Sequence, residues 1–128
     1  MAPEQSPLHV FLVEDLAVIR DSLIVALAEV SNATVVASAQ DEGEAVEWLR
    51  GHPDAWQIAV VDLFLKRGSG LGVLKACRSR MPGQRVVVLT NYATPAIRER
   101  CLAAGANVVF DKSTELDAFL GYCAQRGT

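Results

Sequence analysis

The chain has 128 residues, 51% of them hydrophobic and 21% charged, which suits one packed domain and excludes a disordered one. A domain of this size buries roughly two thirds of its unfolded surface without help from staples or structural metal, and three widely spaced cysteines with no Cys-x-x-Cys argue against a disulfide frame or zinc site and for a reduced, cytoplasmic setting. A net charge of −3 gives no chain-wide reason for nucleic-acid binding, the apolar runs fall far short of the about 20 residues a membrane span needs, and Met1 to Pro7 has neither the basic nor the apolar region of a secretory signal.

Residues 1–7 read as a polar, proline-containing tail expected to fray, and 8–126 as the domain. Leu8 to Val13 is β-rich and almost continuously apolar, as a strand buried on both faces is. Leu16, Ile19, Leu23, Leu27 and Val30 then recur at helical spacing. Thr34 to Ala39 reads as a second strand, and Asp41 to Arg50 as a second helix with Ala45, Val46 and Leu49 inward, ended by Gly51 and Pro53. Ile58 to Val61 is a third strand, and Leu71, Leu74, Cys77 and Met81 mark a third helix stopped by Pro82-Gly83. Arg85 to Leu89 is a fourth strand, after which Thr94-Pro95 supplies an N-cap and first-turn proline for a helix through Ala103. Asn107 to Phe110 is a fifth strand, and Ser113 or Thr114 caps a last helix carrying Leu116, Phe119, Leu120 and Cys123. Five strand–helix repeats imply an α/β fold, a parallel sheet with helices on both faces.

The polar residues sit at informative places. Glu14 and Asp15 follow the first strand, Asp62 the third and Thr90 the fourth, while Lys112 lies just past the fifth. In an open parallel sheet the carboxyl ends of the strands share one edge, and ligands bind in the crevice there. Three carboxylates in one crevice repel one another, and a divalent cation or proton uptake relieves them. Oxygen donors without cysteine or nearby histidine favour Mg²⁺ over zinc. Lys112 then supplies a positive charge and Thr90 a hydroxyl donor, both suited to an anion that joins the site. A phosphoryl group bonded to an aspartate meets these demands, and Asp62, from the middle of the predicted sheet, is the best placed nucleophile.

These residues together resemble the receiver domain of two-component response regulators. The resemblance runs from about Leu8 to Ala124 and rests on Glu14-Asp15, Asp62 in Val-Val-Asp-Leu-Phe-Leu, the Gly68-Ser69-Gly70-Leu71 turn, Leu89-Thr90, Ala104-Gly105-Ala106 and Phe-Asp-Lys112-Ser. It implies a flavodoxin-like, doubly wound (βα)5 fold with strand order 2-1-3-4-5. It implies that Asp62 accepts a phosphoryl group from a histidine kinase or phosphotransfer protein. Asp15 and Asp62 would bind Mg²⁺ directly, Glu14 mainly through water, and the backbone carbonyl of Phe64 would complete the protein ligands. Thr90 and Lys112 would hold the phosphoryl oxygens. Output would pass through the surface of the fourth helix, fifth strand and fifth helix, to an effector or a second copy, with no direct nucleic-acid or membrane contact. The chain would be a phosphoacceptor that promotes only its own phosphorylation and dephosphorylation.

The sequence departs from the family pattern at three places. Val109 stands where an aromatic switch residue is usual, and the neighbouring Phe110 should point to the other sheet face. Ser113 replaces a common proline after the lysine, and Asn91 replaces a small residue after Thr90. Phe64 and Tyr92 occupy positions that tune phosphate lifetime in the family, and two bulky side chains there imply slow autodephosphorylation. Other readings fit less well. A phosphorylation-independent interaction domain would leave the complete polar set unexplained. A haloacid-dehalogenase-type phosphatase wants a second acid where Phe64 stands, and a flavin binder wants a phosphate loop where Glu14-Asp15 stand. The Gly68-x-Gly70-x-Gly72 run has the wrong spacing for a dinucleotide loop and reads as turn geometry. His9, His52, Trp48, Trp56 and the cysteines read as packing or solvated residues, and neither tryptophan neighbours Asp62 in sequence.

Overall fold

A computed structural model describes residues 6–125. Ten elements alternate along it: β1 (Leu8–Val13), α1 (Ala17–Ser31), β2 (Ala33–Ala39), α2 (Glu42–Gly51), β3 (Ile58–Val61), α3 (Gly70–Ala76), β4 (Arg85–Thr90), α4 (Pro95–Ala103), β5 (Val108–Asp111) and α5 (Leu116–Cys123). The strands form one five-stranded parallel sheet in the order β2-β1-β3-β4-β5, the flavodoxin-like arrangement expected. Of the expected tail, residues 1–5 lie outside the described residues, as does residue 126 at the other end; Ser6 and Pro7 are exposed.

Alternating side chains divide the core in two, as the pleat requires. Phe11, Val13, Ala59, Val61, Val86, Val88 and Val109 pack under α2, α3 and α4. Val10, Leu12, Ile58, Val60, Val87, Leu89 and Phe110 pack under α1 and α5. β3 is buried along its whole length, which explains why it reads as an uninterrupted apolar run. Register is regular except between Val10 and Phe11, where β2 carries one extra residue, Val36, and its side chain is partly exposed.

Several local readings need correction. α3 is one short helix of seven residues, and Met81, placed inward by its spacing, is exposed. The chain leaves the α-helix at Cys77 for a looser turn, so helical periodicity stops before Met81. On α1 the buried stripe is Leu23, Leu27 and Ser31, whereas Leu16, Ile19 and Val30 are exposed. Ser31 belongs to the stripe because its hydroxyl donates to the Leu120 carbonyl of α5 at 2.7 Å, which satisfies a polar group in the core. Neither Ser113 nor Thr114 caps α5. Their N–H groups donate to Asp111 Oδ1 at 2.7 and 3.1 Å, so Asp111 organises that turn with its short side chain. Thr94 and Pro95 open α4 as expected, Thr94 Oγ1 accepting from the Ile97 N–H at 3.2 Å. All three cysteines are buried, and burial pushes the thiols of Cys77 and Cys123 up to about 11 and about 12, so neither is a thiolate near neutrality.

Candidate functional site

The carboxyl ends of β1, β3, β4 and β5 bring Glu14, Asp15, Asp62, Thr90 and Lys112 to one edge of the sheet. Glu14, Asp15 and Asp62 each offer a carboxylate oxygen within 4.8 Å of the others. Asp15, Asp62, Phe64, Thr90 and Lys112 line one cavity of about 260 Å³, together with Leu16, Lys66, Asn91 and Tyr92. Second-strand residues do not line it; β2 lies on the far side of β1 from β3 and β4.

Lys112 ties the acids together. Its Nζ donates to Glu14 Oε1 at 2.5 Å and to Asp62 Oδ2 at 3.0 Å. Glu14 and Asp62 are buried, at 1% and 8% exposure, so the ammonium is their main compensation. Burial pushes the Glu14 and Asp62 carboxyls above their ordinary range, and Lys112 opposes the shift without cancelling it. For Lys112 burial works the other way, favouring the neutral amine. The hydrogen bond to Glu14 and the charge and hydrogen bond of Asp62 outweigh it and raise the ammonium above its ordinary range. The three carboxylates thus outnumber Lys112, the amine bonded among them, and the cluster is a natural place for a divalent cation.

Backbone N–H groups hold the carboxylates in place. Asp62 Oδ1 accepts from the Phe64 N–H at 3.3 Å, and Glu14 Oε2 accepts from the Leu16 N–H at 3.3 Å. Asp15 Oδ2 accepts from the Lys66 N–H at 2.8 Å, which fastens the segment after β3 to the end of β1. Thr90 is fully buried, and its Oγ1 accepts from the Tyr92 N–H at 3.2 Å. Its hydroxyl thus sits on the cavity wall at the start of the β4–α4 segment.

The glycine run has a sharper role than turn geometry alone. Gly68 sits at φ +78°, in the left-handed region. At Gly70 an added Cβ would overlap the Asp62 carbonyl oxygen and come within 2.7 Å of Leu63 Cα. Glycine there lets the start of α3 lie directly against the backbone of Asp62, and the Gly70 N–H donates to the Leu63 carbonyl at 2.9 Å.

Two aromatic rings are among the residues that line the cavity. Phe64 and Tyr92 meet edge to face, centroids 4.9 Å apart, and both are more than half exposed. Asn91, which stands where a small residue is usual, has its side chain drawn towards the segment after β5: its Oδ1 accepts from the Ser113 hydroxyl at 3.3 Å. Val109 packs under α4 and Phe110 on the opposite face, against Phe119 and Tyr122, so among the described residues no ring of β5 lies beside Thr90 on the α4 side. In its place Arg98 of α4 donates to the carbonyls of Ala93 and Val109, each at 2.9 Å, and pairs with Glu115 at 2.5 Å. Glu115 also accepts from the Asp111 N–H at 3.0 Å, so one arginine links α4, β5 and the start of α5. Nothing in the sequence marks Arg98 or Lys66, because the groups they bond are brought to them only by the fold; Gly70 stands out in the sequence, but only as turn geometry and not as a close approach to Asp62.

The family model of the response regulator receiver domain matches residues 10–122. The fimbriae Z protein of Salmonella typhimurium is 28% identical over 111 residues, covering 87% of this chain and 52% of that protein. The DNA-binding transcriptional activator DevR/DosR of Mycobacterium tuberculosis is 33% identical over 99 residues, covering 77% of this chain and 44% of that protein. The chain thus spans about half the length of the curated relatives it matches. Among solved structures, the receiver domain of the putative regulator NarL from Mycobacterium tuberculosis superposes with a TM-score of 0.78 at 25% identity, covering 95% of this chain and all of that one. CheY from Borrelia burgdorferi, solved with CheX, BeF3 and Mg, shares the fold at 19% identity and a TM-score of 0.73, over 93% of this chain and 91% of that one.

Proposed function

The chain belongs to the response regulator receiver domain family of two-component signalling, and from that premise we propose that Asp62 is its phosphoacceptor and that residues 8–126 form the receiver unit. The observation that carries this reading is the Glu14–Asp15–Asp62 cluster with Lys112 bonded into it. Asp15 and Asp62 would hold Mg²⁺, with the Phe64 carbonyl as a further protein ligand and Glu14 acting through water. The donor set fits: hard oxygens only, more negative charge than the local cation offsets, and room for waters in the cavity. Bound there, the ion would neutralise charge on the transferring phosphoryl oxygens.

The chain's own residues do the rest. A carboxylate oxygen of Asp62 attacks phosphorus, an acyl phosphate bond forms, and the bond from phosphorus to the donor's leaving group breaks. Asp62 is nucleophilic only when ionised, and Lys112 favours that form. As the phosphoryl group arrives, Lys112 follows the charge from the carboxylate to the phosphoryl oxygens. Thr90 Oγ1 now meets an acceptor that the free carboxylate does not offer, and its segment carries Asn91 to Thr94 into α4. Phosphorylation can bias the α4–β5–α5 surface only by that difference in contacts. The donor would be a histidine kinase or phosphotransfer protein, and the α4–β5–α5 surface would meet an effector or a second copy. Among the described residues no helix is long and apolar enough to cross a membrane, and the work of such a module is cytoplasmic.

The test is intact mass after incubation with acetyl phosphate, with and without Mg²⁺, for the unsubstituted chain and Asp62→Asn. Gain of one phosphoryl group that requires Mg²⁺ and Asp62 supports the reading. Equal labelling of both chains overturns the site assignment. No labelling of either favours the second reading, a phosphorylation-independent interaction domain, towards which the absence of a β5 ring beside Thr90 also points.

A further inference from the structure

We propose that Glu42, the first residue of α2, is a positioning residue for the metal-binding segment between β3 and α3. The inference rests on the site reading above and concerns a residue outside the site cavity. Segment 62–69 carries Asp62, Phe64 and the Lys66 N–H that holds Asp15. Its far end is fixed by α2: Glu42 Oε1 accepts from the Ser69 N–H at 2.8 Å, and the Glu42 N–H donates to the Arg67 carbonyl at 3.3 Å. Ser69 in turn caps α3, its Oγ accepting from the Leu71 N–H at 3.1 Å. One carboxylate therefore sets where the segment ends and where α3 begins.

The outer two glycines of the run make room for this side chain. A Cβ on Gly68 would come within 2.5 Å of Glu42 Cβ, and a Cβ on Gly72 would fall on the Glu42 carboxylate itself. At each position the three nearest atoms all belong to the Glu42 side chain. Gly68 and Gly72 thus form a seat shaped for one carboxylate, while Gly70 between them serves Asp62. Helix-dipole stabilisation alone would ask for an acid in the first turn of α2 but not for a seat on another element. A segment tied at Asp15 and at Glu42 restricts the backbone of Phe64, whose carbonyl we read as a ligand. Freed at the second point, it must be ordered when the ion binds.

Mg²⁺ binding to the whole chain by isothermal titration calorimetry, with thermal unfolding of the apo protein beside it, tests the proposal. Glu42→Ala is expected to weaken Mg²⁺ binding about tenfold, the scale seen when an outer hydrogen-bond partner of a metal site is lost. Glu42→Gln should retain most of the affinity, since its amide oxygen still accepts from Ser69. Gly72→Ala should weaken binding like Glu42→Ala by expelling the carboxylate, without lowering the unfolding temperature, because alanine favours the helix. In the Glu42→Ala background Gly72→Ala should add nothing. Unchanged Mg²⁺ affinity in Glu42→Ala overturns the proposal. So does a loss in Glu42→Gln as large as in Glu42→Ala, which would make the effect one of charge alone, or full additivity of the Glu42 and Gly72 changes. If the unsubstituted chain takes up no Mg²⁺, the reading of the acidic site fails instead.

Discussion

Lys112→Met removes one charge while keeping a stem of similar bulk, and it isolates what that ammonium does for the apo protein. Its Nζ lies 2.5 Å from Glu14 Oε1 and 3.0 Å from Asp62 Oδ2, and both acids are buried. Removing one partner of a buried ion pair costs about 3–5 kcal/mol, and we take the lower end because the carboxyls can escape by taking up protons. With about 2.1 cal/mol/K of unfolding entropy per residue over 128 residues, about 3 kcal/mol corresponds to about 11 °C in Tm. The deficit should depend on pH. Both carboxyls already titrate above their ordinary range through burial, and the substitution raises them further. A raised acid contributes stability at low pH and loses it as pH rises through its folded-state value. The deficit is therefore largest near pH 8 and shrinks towards pH 4. Mg²⁺ at a hundred times its dissociation constant adds about 2.7 kcal/mol to any chain that binds it, which would offset most of the loss. Differential scanning calorimetry over pH, in EDTA and in Mg²⁺, reads all three. A Tm change under about 2 °C at pH 8 in EDTA, or a deficit of the same size at every pH, would refute the reasoning.

Further outcomes follow from the same geometry. In EDTA, Asp62→Asn should raise Tm at pH 8, and the gain should vanish as pH falls through the raised Asp62 value; a gain that persists in acid contradicts the burial argument. Gly70→Ala drives a methyl into the Asp62–Leu63 backbone, which has no flexible end to move aside. It should cost about 1–3 kcal/mol in chemical denaturation and slow labelling of Asp62; a neutral effect would mean α3 is not seated as described. Phe64→Ala with Tyr92→Ala removes two rings that line the cavity and widens access for water. It should shorten the lifetime of the phosphorylated chain several-fold, measured by loss of the mass label, whereas an unchanged lifetime would remove the rings from that role. Arg98→Ala should leave stability in chemical denaturation nearly unchanged, since the pair with Glu115 is solvated, and a clear loss would point to its carbonyl contacts.

Much of the fold was legible because buried parallel strands leave a strong mark. Val86 to Leu89 and Ile58 to Val61 read as unbroken apolar runs and are buried on both faces. The convergence of Glu14, Asp15, Asp62, Thr90 and Lys112 was legible for a related reason, since a residue just past such a strand has one place to be. Helix faces were harder. The stripe of α1 runs through Ser31 and not Val30 because a hydroxyl found a carbonyl partner on α5, a contact 89 positions away in sequence. Met81 kept helical spacing after the helix had ended. Asp111, not Ser113 or Thr114, organised the start of α5, because its side chain reaches two N–H groups at once. Glu42 carried no signal, since an acid in a first helical turn is ordinary and its glycine seat lies on another element.

The central claim is that Asp62 forms a covalent acyl phosphate. Borohydride reduction of the chain after treatment with acetyl phosphate and Mg²⁺, followed by peptide mapping by mass spectrometry, reads the bond at its own residue. Reduction confined to position 62 is the predicted result. Modification at Glu14 or Asp15, or a labelled chain in which position 62 stays unreduced, would contradict it.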